Sequence, residues 1–128
     1  MRRLALIACF LLGSGNASAT GAPRIEPDGA PTCGGIFTSP PLQSVTASID
    51  ASGVLHLVVR AYVHNPLGTS VAVSGKDVRV ELASSGVDEG FCAVPLRVIG
   101  APSRPLDVDV EIRRGAHRPT SKVATHVP

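Results

Sequence analysis

The sequence predicts an all-β protein, and three observations carry that prediction. Between Val45 and Ile112 apolar residues recur at every second position within short runs, the period of a strand with one buried face. No stretch beyond the first 19 residues sustains an apolar period of 3.6. The runs are separated by Gly, Pro, Ser, Asn and Asp, the residues that turn a chain back on itself. In a chain of 128 residues these features point to a single antiparallel β-sandwich of immunoglobulin-like size, with about six or seven strands and one disulfide.

Residues 1–19 read as a secretory signal peptide. Arg2 and Arg3 form its basic start, Leu4 to Leu12 its apolar run, and Ala17-Ser18-Ala19 its cleavage site. A competing reading takes Leu6-Ile7-Ala8-Cys9 as a lipoprotein box, but acylation at Cys9 leaves Phe10-Leu11-Leu12 outside the apolar segment. The apolar run is about half of the roughly 20 residues a membrane-spanning helix needs, and no later run approaches that length, so no integral membrane segment is expected. Removal of the leader leaves Cys33 and Cys92 in an oxidising compartment, the periplasm or the cell exterior, where one disulfide between them is the simple inference.

Residues 20–41 are rich in Gly, Pro, Ser and Thr and read as an extended arm anchored at Cys33. The sandwich domain is expected over 42–112. Val45, Ala47 and Ile49 alternate with Thr46 and Ser48, and Asp50-Ala51-Ser52-Gly53 reads as a hairpin turn. The longest run, Val54 to His64, sets Leu55, Leu57, Val59, Ala61 and Val63 against His56, Val58, Arg60, Tyr62 and His64. Asn65-Pro66-Leu67-Gly68 breaks it. Strands then follow at Ser70 to Val73, Val78 to Leu82, Ala93 to Ile99 and Leu106 to Ile112, the last with Val108, Val110 and Ile112 facing inward. Alternation is lost over 113–128, where Arg113, Arg114, Arg118 and Lys122 suggest a flexible basic tail.

Composition excludes several classes of function. Only 3% of residues are aromatic, too few for a base-stacking surface. The 12 Lys and Arg less Arg2 and Arg3 leave 10 cations against 10 Asp and Glu, so the secreted chain has no general field for nucleic acid. His56 and His64 share a strand face but stand about 26 Å apart, beyond the reach of one metal ion. Asp107, Asp109 and Glu111 form an acidic ladder whose neighbours lie about 6.6 Å apart, wide for calcium, and read as a solvated face pairing with Arg79 or Arg97. Gly-x-Ser-x-Gly, Ser-x-x-Lys and His-Glu-x-x-His are all absent, and no cysteine is left free as a nucleophile. The expectation is a protein that is not an enzyme and carries no metal or other cofactor.

The stretch Val54 to Leu82 resembles the water-stress and hypersensitive-response domain of the type 2 late-embryogenesis-abundant proteins. The family features are an alternating strand ending in Asn-Pro, a short apolar strand, a Gly, and a further alternating strand ending in Leu. They fall here on Leu55 to Val63, Asn65-Pro66, Val71 to Val73, Gly75 and Val78 to Leu82. Val94-Pro95 and Leu106 to Ile112 stand for the closing strands. The pattern departs at Leu67-Gly68, in place of a second Asn and an apolar residue, and in the added Cys33 and Cys92. The resemblance implies a β-sandwich and a non-catalytic, stress-protective role.

The leading expectation is therefore a secreted or periplasmic sandwich that works by contact. The alternative is an adaptor or inhibitor that docks one envelope or extracellular protein partner. Arg60, Tyr62 and His64, on the outer face of the longest strand, are the candidate binding residues, because aromatic and Arg side chains concentrate in binding patches.

Overall fold

The structure is a computed structural model, and it describes residues 22–34, 39, 41–63, 68–84, 90–114 and 120–128. The expected leader over 1–19 lies outside the described residues, as does His64. Nine strands are present among the described residues: β1 (Arg24–Pro27), β2 (Thr32–Cys33), β3 (Ser44–Ile49), β4 (Leu55–Val63), β5 (Gly68–Ser74), β6 (Asp77–Ser84), β7 (Gly90–Ile99), β8 (Leu106–Arg114) and β9 (Ser121–Val127). They form two sheets packed as a sandwich. The first runs β1-β7-β4-β3, with β2 also on β7, and the second runs β5-β6-β8-β9.

The period-two pattern decides which side chains fill the space between the sheets. Along β4, Leu55, Leu57, Val59, Ala61 and Val63 are buried, while His56, Val58 and Tyr62 are half-buried and Arg60 is exposed. Val78, Val80 and Leu82 meet them from β6, and Leu106, Val108, Val110 and Ile112 from β8. Val94, Leu96 and Val98 of β7 complete the centre of the core. Ile49 packs on its margin, partly buried. Among the described residues no polar or charged residue is buried, so the interior is held by apolar contact alone.

Two connections show the local chemistry at work. The β3–β4 turn is closed by Asp50, whose Oδ1 accepts from Ser52 N–H (2.9 Å), the Ser52 hydroxyl (2.6 Å) and Val54 N–H (3.1 Å), while Gly53 takes a φ of 87°. The β5–β6 hairpin pairs Ser74 with Asp77 across the two-residue loop Gly75-Lys76, and Gly75 supplies the positive φ such tight loops require.

Four features go beyond the sequence reading. The second sheet contains one parallel pair, β6 with β8. β7, which lies between them in sequence, belongs to the first sheet, so the chain crosses the sandwich twice and returns in its original direction. The expected arm is a sheet edge, with β1 and β2 both paired to β7. Its interruption faces Pro95: Asp28 N–H donates to the Pro95 carbonyl at 3.0 Å, but proline offers no N–H toward the arm on that same side. The expected flexible tail is corrected, since Ser121–Val127 pairs along β8 as β9. Val123 and Val127 point inward there, but Ser121 and Thr125 share that face, which hid the alternation. Finally, the expected disulfide of Cys33 and Cys92 is present, and it joins register partners within one sheet, stapling the arm to β7.

Gln43, just ahead of β3, ties the sheets together at their edge. Its Oε1 accepts from Tyr62 N–H of β4 at 3.2 Å, and its Nε2 donates to Ser121 Oγ of β9 at 2.8 Å. Gln43→Ala is expected to lower stability by about 1 to 2 kcal/mol, as Tyr62 N–H and Ser121 lose a partly buried partner. Chemical denaturation measures this, and a change within error would show that water replaces the amide freely.

Candidate functional site

Of the three candidate binding residues, Arg60 and Tyr62 are described and differ in setting. Arg60 is exposed and lies across from Ser44 on β3 and Ala93 on β7, short side chains that leave the guanidinium uncovered. Tyr62 is half-buried and built into a cluster. Its ring meets that of its register partner Phe91 edge to face, with centroids 5.1 Å apart and planes at 67°. The Arg114 guanidinium carbon lies 5.8 Å from the Tyr62 ring centre, within cation–π range. The Tyr62 hydroxyl reaches the Pro41 carbonyl at 3.5 Å, a long contact. The next residue, Leu42, is 89% exposed and is the exposed large hydrophobic residue among those described.

This cluster joins residues that sequence spacing keeps apart. Leu42 precedes β3, Phe91 lies on β7, and Arg114 ends β8 in the opposite sheet. The alternation of β4 found Tyr62, but Phe91 shows only through its register with it. Leu42 carried no periodic signal at all.

The outer face of the second sheet carries the acidic ladder and is concave. A hollow of about 520 Å³ lies over it, lined by Ser70, Arg79, Glu81, Asp109, Glu111 and Lys122 among others. Arg79 stands beside Asp109 and Lys122 beside Glu111, as register partners. Arg113 bridges Glu81 at 3.0 Å and Glu111 at 3.5 Å, and His126 Nδ1 meets Asp107 at 2.7 Å. The expected pairing of the ladder with Arg97 is corrected: Arg97 belongs to the other sheet, where it holds Glu26 at 2.7 Å. Arg113 and Lys122, both assigned to a tail, are counter-charges of this ladder. Such exposed pairs contribute little stability but keep five carboxylates on one face tolerable.

His56, half-buried on the outer face of β4, is held at both ring nitrogens. Its Nδ1 lies 2.8 Å from Asp28 and its Nε2 2.7 Å from Asp50. Asp50 and then Asp28 push the imidazole pKa up from its ordinary value. The Ser52 hydroxyl and His56 together hold the Asp50 carboxyl far below the usual carboxylate range. Arg97, followed by Arg24, likewise lowers Glu26. No group of three or more His, Cys, Asp or Glu is arranged to hold a metal ion among the described residues. No helix among them is long and apolar enough to cross a membrane.

The fold and these surfaces define a disulfide-stapled β-sandwich with an aromatic and cationic cluster at one end of the first sheet. Comparison with protein-family models, with curated proteins and with solved structures returns no match for the chain.

Proposed function

We propose that the chain is a non-catalytic protein of the periplasm or cell exterior that binds a protein partner through the Leu42, Tyr62 and Phe91 end of its first sheet. The observation that carries this reading is an exposed leucine beside an edge-to-face aromatic pair, flanked by Arg60 and Arg114. Aromatic and Arg anchors dominate protein interfaces, and an uncovered leucine next to them gains by burial. The exposed Arg60 at the rim favours a partner segment with apolar side chains and acidic neighbours. The second reading, general protection of other proteins under water stress, rests on the resemblance carried by Val54 to Leu82.

The test is retention of proteins from native envelope and culture supernatant by the disulfide-bonded chain, followed by titration of what is retained. One partner that saturates at a fixed ratio, and that Arg60→Ala with Tyr62→Ala weakens by about 2 kcal/mol or roughly thirtyfold, supports the binding reading. A partner whose affinity is unchanged by the double variant and by Leu42→Ser overturns this patch as the contact. Protection of unrelated enzymes during drying in proportion to concentration, without saturation, would favour the protective role instead.

A further inference from the structure

His56 faces charged groups of β7, β1, the arm and the hairpin turn, and an uncharged serine of β3. Arg97, its register partner on β7, is held by Glu26 of β1 at 2.7 Å, and Glu26 also takes Arg24 at 3.2 Å. Ser48 on β3 and Ser52 in the turn are uncharged. Asp28 of the arm and Asp50 of the hairpin turn contact the two ring nitrogens. With Arg97 offset by Glu26, the two carboxylates dominate the field at the imidazole.

A neutral imidazole has one N–H and satisfies one of these carboxylates, whereas the imidazolium donates to both. The two carboxylates are not equivalent. Asp50 is fixed in place by Ser52 and Val54 whatever the state of His56. Asp28 sits in the interruption between β1 and β2, opposite the missing N–H of Pro95. Loss of the second N–H therefore falls on Asp28.

We propose that His56 is a proton-operated latch for the N-terminal arm: the imidazolium ties Asp28 of the arm to Asp50 of the hairpin, and the neutral ring lets Asp28 go. The direction of the response follows from the two carboxylate contacts. A raised imidazole pKa means the contact is complete below the ordinary value of 6.5 and is lost as pH rises through the higher folded value. The depressed Asp50 carboxyl contributes above its ordinary value of 3.8 and is lost only as acid reaches its lower folded value. The latch is closed in mildly acidic medium and opens on the alkaline side. Opening frees the stretch of arm over the Pro95 region of β7, while the disulfide keeps its far end attached.

Amide hydrogen exchange on the oxidised full chain tests this, because Asp28 N–H is bonded to the Pro95 carbonyl and reports the arm directly. Between about pH 5.5 and about pH 8.5, after correction for intrinsic exchange, protection at Asp28 is expected to fall about tenfold in the wild type. Gly34 N–H, bonded to Phe91 O beside the disulfide, should keep its protection. His56→Gln should abolish the pH response at Asp28, and Asp28→Asn should reduce it, which covers the case where the first variant folds poorly. An Asp28 protection factor that stays flat in the wild type, or that falls equally in both variants, overturns the latch.

Discussion

Replacing Cys33 with alanine is expected to lower stability by about 4 kcal/mol, the chain-entropy value for opening a loop of 59 residues. For a domain whose total stability is of order 5 to 15 kcal/mol, this loss leaves a marginal fold. The two cysteines are not equivalent sites for the test. Cys33 is exposed, so alanine there removes the cross-link and little else. Cys92 is only 3% exposed and belongs to the core, so Cys92→Ser also places a hydroxyl among apolar side chains. Serine at 92 should therefore cost about 1 to 3 kcal/mol more than alanine at 33. Denaturant titrations of both variants, beside the reduced wild type, read the two contributions separately. If Cys33→Ala costs less than about 1 kcal/mol, the arm is held by β1 pairing alone and the staple is not the main constraint on the unfolded chain.

Truncation at Leu57 should cost about 2 to 5 kcal/mol, whereas truncation of its neighbour Val58 should cost less than about 1 kcal/mol. The contrast comes entirely from the pleat. Leu57 is 1% exposed, lies between Ala47 and Leu96 in register, and points between the sheets. Val58 points outward beside Thr46 and Pro95. Equal losses at the two positions would mean that the outer face of the first sheet is covered as fully as the inner one. That outcome would also contradict the exposed setting of the candidate contact surface, so one pair of melting curves bears on both the fold and the site.

Much of the fold was legible because it is local. Alternation alone assigns Val45, Ile49, Leu55, Leu57, Val59, Val63, Val78, Val80, Leu82, Val108, Val110 and Ile112 to the core, and all are buried except Ile49, which is only partly so. Each strand declares its inner face independently of its partners. The turn at Asp50 was readable for the same reason, since Asp50 and Gly53 settle backbone geometry within four residues. The contact cluster was half legible. Tyr62 stood out on the longest strand, but its neighbours Phe91 and Arg114 come from two other strands and neither resembles a motif.

Pairing across distance was hidden from the sequence. Thr125 and Ser121 disguise the inner face of β9, so the C-terminal segment looked unpatterned until β8 supplied a partner. Its cations looked free for the same reason. Arg113 and His126 in fact contact the acidic ladder, and Lys122 stands beside it. The arm looked irregular because Pro27, Gly29 and Pro31 interrupt it, yet β7 accepts it on both sides of Pro95. By itself the sequence determined the strand class, the inward faces, the turns and the cysteines that join. Tertiary structure alone decided the parallel return of β8, the pairing of arm and tail as sheet edges, and the meeting of His56 with two aspartates. Side-chain period and turn propensity act over a few residues, whereas strand order and charge partnership depend on which distant segments can close a shared core at the least cost in chain entropy.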